Sequence, residues 1–254
     1  MKARDALAFA LLCGCAATLP VRAAEDIYDA AVQHPGRSSQ DLQRDVTDRP
    51  AEVLRISGIK PGMRVADVLA GDGYYSELLS YIVGPSGHVL LLNNPPFEKW
   101  GGPALPERMA KQRLPNVEQR TVDLAHMGLG TNAFDAIILI KVYHDLYWID
   151  PEGTWPKVDV PVVLDQIAGA LKPHGILLVV DHSAKPHAGT SVASSLHRID
   201  EAYARSDFQA HGFEFVRSGD FLRKPSDPRT QISYKPPILG KTDRFVLVFR
   251  KRGG

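Results

Sequence analysis

The stretch Val65-Ala66-Asp67-Val68-Leu69-Ala70-Gly71-Asp72-Gly73-Tyr74-Tyr75-Ser76 decides the fold, because it reads as a buried strand, a glycine-bearing turn and the start of a helix. The strand signal is the apolar run from Met63 to Leu69, interrupted by Asp67; the helix signal is the spacing of Tyr75, Leu78, Leu79, Ile82 and Val83. At the crossover, Gly71 and Gly73 let the backbone take positive φ and let a ligand approach without meeting a Cβ. The helix start beyond them presents free N–H groups to an anion. Any α/β protein can make a tight turn this way, so the reading as a ligand turn depends on the rest of the chain.

Downstream, Gly84-Pro85-Ser86-Gly87 is a turn and His88–Leu92 a second strand. Asn116–Leu124 carries a third strand, closed by Asp123, and Phe134–Ile140 is a fourth, buried one. Leu171-Lys172-Pro173-His174-Gly175 reads as the close of a helix, and Ile176–Val180 as a fifth strand that runs into Asp181-His182. Residues 191–212 read as one helix carrying Leu196-His197-Arg198-Ile199-Asp200, followed by a strand over Phe213–Val216. A basic loop beginning at Leu222 and a last strand over Phe245–Phe249 complete the chain. Strands alternating with helical patterns predict a doubly wound, Rossmann-like α/β fold. Residues 24–58 read as a helical lead-in, with Ser38 and Asp41 as a capping box, Leu42, Val46, Val53 and Leu54 as an apolar stripe, and Pro50 dividing it. Within it His34-Pro35-Gly36-Arg37 reads as a turn.

The segment from Asp67 to Gly73 resembles motif I of the class I S-adenosylmethionine-dependent methyltransferases, an acid followed by Gly-x-Gly-x-Gly at the end of the first strand. Asp67 matches the acid, and Gly71 and Gly73 the second and third glycines; Leu69 stands at the first glycine, which implies a different path for the turn or a negative φ there. The resemblance implies a seven-stranded sheet with six parallel strands and the last antiparallel between the fifth and sixth, in a domain over residues 59–254. It implies S-adenosylmethionine as cofactor, held by Asp67, Ala70, Gly71, Gly73, Asn93, Asp123 and Leu124. In the family an acid closes the second strand and holds the ribose hydroxyls; Asn93 at that place implies weaker ribose binding, since an amide accepts on one atom and donates on the other. Asp123 and Leu124 inherit the adenine position, although Asp123 also reads as a cap.

Asn94-Pro95-Pro96-Phe97 resembles the catalytic motif of amino-methyltransferases, but it follows the second strand instead of the fourth, so it reads as a rigid loop. The Gly/Pro-rich stretch from Pro95 to Pro106 reads as a loop whose Trp100 covers the adenosine half of a cofactor.

Ligands in open α/β sheets bind outside the carboxyl ends of the strands. Two such ends carry His144-Asp145 and Asp181-His182, a set suited to general acid–base work or to a metal, or to capping strand ends. The catalytic assignment is His144, Asp145 and His182, with no residue assigned to a metal, and Tyr143, Tyr147, Trp148 and Trp155 wall the same cleft. His144 or His182 is the expected base near neutral pH. On an extended segment Asp145 and Asp181 would point away from their histidine neighbours. The leading function is methyl transfer to a small-molecule acceptor. The alternatives are a non-catalytic small-molecule-binding protein and a metal-dependent enzyme built on His144, Asp145 and His182.

The N-terminus reads as a signal peptide over residues 1–23: Lys2 and Arg4, a mostly apolar run from Ala6 to Leu19, and Val21-Arg22-Ala23 at a cleavage spacing. The run is shorter than the ~20 apolar residues a spanning helix needs. Export to the periplasm is the expected outcome, and Leu12-Cys13-Gly14-Cys15 offers the alternative of a lipoprotein anchored in a membrane at Cys15. Both cysteines lie in this segment, so the remainder has no disulfide, no cysteine nucleophile and no cysteine metal ligand. Removing residues 1–23 takes the formal charge from +1 to −1, and no element carries the basic excess of a nucleic-acid binder. The resemblance to a group of exported bacterial methyltransferase-like proteins rests on Tyr143-His144-Asp145, Val180-Asp181-His182, Leu196–Asp200 and Gly240–Phe245.

Overall fold

Arg64–Val68 forms β1 in the interior of a seven-stranded sheet, and every residue after Arg64 is buried, as a parallel strand covered on both faces requires. The computed structural model describes residues 26–253, so the expected signal peptide, with Cys13 and Cys15, lies outside the described residues. The chain reaches β1 through α1 (Ile27–Val32), α2 (Ser39–Asp48) and α3 (Pro50–Ser57). After β1 come α4 (Tyr74–Val83), β2 (His88–Asn93), α5 (Pro95–Trp100), α6 (Ala104–Met109), β3 (Val117–Thr121) and β4 (Phe134–Ile140). The chain continues through α7 (Val160–Ala170), β5 (Leu171–His182), α8 (Ala193–Leu196), α9 (Glu201–Ala210), β6 (Phe213–Gly219) and β7 (Arg244–Lys251). Among the described residues no helix is long and apolar enough to cross a membrane.

The strand order is β3-β2-β1-β4-β5-β7-β6, with β7 antiparallel to both its neighbours and the other six strands parallel to one another, the expected topology. The chain winds outward from β1 to β3 and then returns to β4 beside β1. That reversal falls between β1 and β4, and in open α/β sheets ligands bind outside the carboxyl ends of the strands at such a point. Alternation along the strands feeds two apolar layers: Ala66, Val68, Ile137 and Leu139 enter one, Val65, Ala136 and Ile138 the other. The second layer holds α4, so Asp67 points at that helix.

Five local expectations are corrected. Leu42 and Val46 on α2 are 47% and 80% exposed, and the face that α2 buries carries Asp41 and Asp48. Asp41 pairs with Arg108 at 2.8 Å, and Asp48 with Arg44, Lys141 and Arg244 at 2.9, 2.8 and 2.6 Å, so ion pairs dock this helix. Ser38 does accept the Asp41 N–H, and Pro50 does separate α2 from α3.

The stretch after Asn93 is helical: Asn94 caps α5 by accepting the Phe97 N–H at 3.0 Å, and Pro95 and Pro96 occupy first-turn positions, where their missing N–H groups cost nothing. Leu171 to Gly175 belong to β5, with Leu171 paired to Phe134, and α7 ends before them. The expected single helix over residues 191–212 breaks into α8 and α9, because His197 takes φ 50°, Ile199 bridges Ser183 and Asp200 caps α9. Arg198, fully buried between them, pairs with Asp227 at 2.7 Å and donates to the Ser183 and Gln231 carbonyls. Finally, His144–Tyr147 is a 3-10 turn instead of an extended segment, which changes the directions of its side chains.

Candidate functional site

The glycine turn begins at Leu69 with φ 58° and continues through Gly71 at 60° and Gly73 at 78°. Leu69 therefore takes the left-handed conformation, which corrects the alternative of a negative φ there. Its side chain is buried in the core, which offsets the strain of that backbone. The Asp72 carboxylate accepts the Tyr74 N–H at 3.1 Å, where it faces the start of α4, and Arg44 balances its charge at 3.4 Å.

Asn93, fully buried at the end of β2, engages Gly71 from both sides of its amide: Oδ1 accepts the Gly71 N–H and Nδ2 donates to the Gly71 carbonyl, each at 2.9 Å. A carboxylate has no donor for that carbonyl, which explains an amide here in physical terms. Asp67 lies behind the turn, accepting the Ser76 hydroxyl at 2.7 Å, and burial raises its pKa to about 7. Asp123 caps the short 3-10 turn Leu124–His126 through the Ala125 N–H at 2.9 Å, and the Leu124 side chain enters the core. The structure thus brings Ala70, Gly71, Gly73 and Asn93 together, sets Asp123 exposed beyond β3, and turns Asp67 and Leu124 inward.

Trp100 and Gly101 lie over this turn. A Cβ on Gly71 would stand 3.2 Å from the Trp100 ring, and one on Gly101 would stand 2.8 Å from the Gly71 carbonyl oxygen. Trp100 is 74% exposed, so the Cβ-less face of Gly71 is covered by a surface side chain at the end of a short helix. A face that receives a planar indole suits another flat ring once that indole has moved.

The second constellation stands at the ends of β4 and β5, which pair in parallel as far as Ile140 and Val180. Asp181 is fully buried and accepts three hydrogen bonds: from His144 Nδ1 at 2.7 Å, from the His144 N–H at 2.8 Å and from the His182 N–H at 2.7 Å. On the other side of the ring, His144 Nε2 stands 3.2 Å from Asp145 Oδ1, which stands 3.3 Å from His197 Nδ1. The 3-10 turn is what lets His144 and Asp145 face the same cluster. The ring of His182 lies 5.9 Å from that of His144, and its Nδ1 meets the Thr242 hydroxyl at 2.8 Å.

The electrostatics divide the two histidines. Burial disfavours charge on His144, but Asp145 and Asp181 outweigh it and hold its pKa up at about 10. Burial first, and then the charges of His144 and Lys141, push His182 well below the usual histidine range. Asp145, raised by burial, is drawn below the usual carboxylate range by His144 and His197. The two rings are thus pushed in opposite directions: the flanking carboxylates favour the charged form of His144, and burial favours the neutral form of His182.

Of the four expected wall aromatics, Trp148 borders the cluster, 5.3 Å from His197, with Trp155 behind it at 5.8 Å. Tyr143 and Tyr147 instead donate to Asp207 at 2.5 and 2.6 Å. A cleft of about 530 Å³ opens on that side, lined by Tyr147, Val160, Tyr203 and Asp207, with none of the His/Asp cluster in it. The His34–Arg37 turn packs on α4, with His34 stacked on Tyr81 at 3.7 Å. Sequence reasoning missed His197, which is hidden inside an expected helix, and Tyr234, 4.8 Å from it. It also missed Lys141, which sits at the end of β4 with φ 62° and donates to Asp48.

No family model matches the chain. Its sequence is similar to that of the ubiquinone/menaquinone biosynthesis C-methyltransferase UbiE of Teredinibacter turnerae, 27% identical over 178 residues that cover 67% of this chain and 66% of that protein. The chain thus spans just under two thirds of the length of this relative. Among solved structures it is similar to a SAM-dependent methyltransferase from Aquifex aeolicus, with TM-score 0.55 and 20% identity, covering 83% of this chain and 97% of that one. It is also similar to the [4+2]-cyclase SpnF, with TM-score 0.56 and 18% identity, covering 87% of this chain and 86% of that one.

Proposed function

We infer, from the likeness of this chain in fold and in sequence to class I S-adenosylmethionine-dependent methyltransferases, that it transfers a methyl group from S-adenosylmethionine to a small molecule. The observation that carries the reading is the placement of two features at the carboxyl end of the sheet. The left-handed turn over Leu69, Gly71 and Gly73 follows β1, and the His144/Asp145/Asp181/His182 set follows the adjacent β4 and β5.

When bound, the cofactor supplies a methyl group that its sulfonium already activates. The chain's own task is to align donor and acceptor and to keep water out. The backbone of Ala70, Gly71 and Gly73 and the start of α4 would hold the cofactor. Asp123, which spends Oδ1 on the Ala125 N–H, has Oδ2 for an adenine amino group. His144, anchored by Asp181, and Asp145 would orient the acceptor. His182, whose Nδ1 is engaged by Thr242, would take a proton at Nε2 from an acceptor that must lose one. Trp148 and Tyr234 shield that side.

Calorimetry with S-adenosylhomocysteine, alongside transfer of labelled methyl from S-adenosylmethionine to a panel of small phenols, amines and thiols, tests the proposal. Absence of binding by the mature protein would remove it. A second reading, a protein of this fold that binds a small molecule without methylating it, is favoured by Asn93 and Trp100, which occupy the turn themselves. Fold does not fix chemistry, and one structural neighbour is named as a cyclase. Cofactor binding without transfer to any acceptor would select that reading.

Export is also part of the proposal, supported by the basic start, the apolar run and the small residues up to Ala23. Mass spectrometry of the mature chain from a fractionated cell tests it. A chain beginning at Ala24 in the periplasmic fraction is the expected result, a lipidated Cys15 in the membrane fraction selects the anchored form, and an intact Met1 overturns export.

A further inference from the structure

We propose that His144 Nε2, the Asp145 carboxylate and His197 Nδ1 form a binding site for a divalent first-row transition-metal ion. The three donor atoms lie within 4.8 Å of one another. Ligands at about 2.1 Å from one ion stand roughly 3–3.4 Å apart in tetrahedral or octahedral geometry. The separations of 3.2 Å from His144 to Asp145 and 3.3 Å from His197 to Asp145 already match that spacing.

A second, independent observation lies behind the ligands. Asp181, fully buried and fixed by the His144 and His182 backbone N–H groups, accepts the Nδ1 proton of His144. A carboxylate on the far nitrogen of an imidazole sets the tautomer and directs the other nitrogen's lone pair at a metal. Here that nitrogen is Nε2, the one facing Asp145. An ion would take the place of the proton between them.

The third ligand is held at some cost. His197 has φ 50°, a conformation that histidine adopts less readily than glycine, and its ring is wedged between Trp148 and Tyr234 at 5.3 and 4.8 Å. This arrangement aims Nδ1 at Asp145. The side chains of His144, Asp145 and His197 are 4%, 10% and 14% exposed, so the cluster is nearly dry and its largest exposure is at His197, where coordination positions are left for water or a substrate.

Two imidazoles with one carboxylate suit Zn²⁺ or Fe²⁺; Ca²⁺ takes six to eight oxygens and is poorly served by this set. His182 stands outside it, with its Nδ1 on Thr242. The assignment replaces the His144/Asp145/His182 set expected from sequence, and it does not depend on methyl transfer, because ion binding is read without S-adenosylmethionine.

The test uses the purified full chain, stripped with a chelator and then loaded with Zn²⁺ or with Co²⁺ as a spectroscopic stand-in. One ion per chain after gel filtration, with Co²⁺ d–d bands of a nitrogen- and oxygen-ligated site, is the expected result. His197→Asn, which keeps a side chain tolerant of positive φ, should weaken binding by at least about 100-fold, and Asp181→Asn by about 10- to 100-fold. His211→Asn, which removes a separate His/Asp pair at 2.8 Å, should leave it unchanged. Retention of no ion by the wild-type chain would overturn the site. So would undiminished binding by His197→Asn with an unchanged circular dichroism spectrum; the three side chains would then be a hydrogen-bonded chain only.

Discussion

The side-chain amide of Asn93 meets the backbone of Gly71 at both ends, accepting its N–H and donating to its carbonyl at 2.9 Å each. The end of β2 is thereby stitched to the turn after its neighbour β1. Asn93→Asp keeps the acceptor and loses the donor, leaving the buried Gly71 carbonyl facing a charge. The unfolding free energy should fall by about 1–3 kcal/mol, read from urea titration at pH 7. A midpoint equal to that of the wild type would show that the amide contributes nothing.

Trp100 covers the Cβ-less face of Gly71. Trp100→Ala, a change at a largely exposed ring, should leave the thermal midpoint nearly unchanged and tighten S-adenosylhomocysteine binding, because the ligand no longer has to displace the indole. Gly71→Val should do the opposite: a β-branched residue at φ 60° is strained and fills the space that a ligand needs, so binding is lost. Weaker binding by Trp100→Ala would identify the indole as a platform for the ligand instead of a cover.

Asp67 makes stability depend on pH in a defined direction. Burial raises its folded pKa from 3.8 to about 7, so between about pH 4 and 7 the folded state holds a proton that the unfolded state has released. Its effect is least unfavourable below about pH 4; stability falls as pH rises to 7 and is level above that. Asp67→Asn still accepts the Ser76 hydroxyl and has no charge to bury. Thermal melts from pH 5 to 8 should therefore show the variant gaining on the wild type as pH rises, by on the order of 3 kcal/mol in all. A constant difference across that range would refute the raised pKa.

Arg198 and Asp227 form a fully buried ion pair between α8, α9 and the loop before β7. Removing one partner strands the other charge, and the Asp227→Ala chain should be destabilised by about 3–5 kcal/mol in urea unfolding. Because the pair holds the break that presents His197, the same variant should also lose metal affinity.

Much of the architecture was legible before any coordinates. The run from Val65 to Ser76 shows in its own residues a buried strand, positive-φ turn positions and an apolar helix face, and such periodicities are properties of a dozen consecutive residues. The strands over His88–Leu92, Phe134–Ile140 and Phe245–Phe249 are continuous apolar runs for the same reason, and with the family resemblance they led to six parallel strands and a last antiparallel one between the fifth and sixth. The convergence of His144, Asp145, Asp181 and His182 followed from strand ends that the topology makes neighbours.

Only the tertiary structure decided which side of α2 is buried, because the partners of Asp48 lie 93 and 196 positions along the chain, at Lys141 and Arg244. Only it placed His197 opposite Asp145, 52 positions away, by breaking a helix whose local pattern is continuous. The same holds for Asn93, whose amide could have faced a ribose and instead satisfies Gly71, 22 positions earlier. Hydrophobic period and turn chemistry are local and survive in the sequence. Pairing among polar groups depends on which strand ends and loops the sheet brings within about 3 Å, a distance no local pattern encodes.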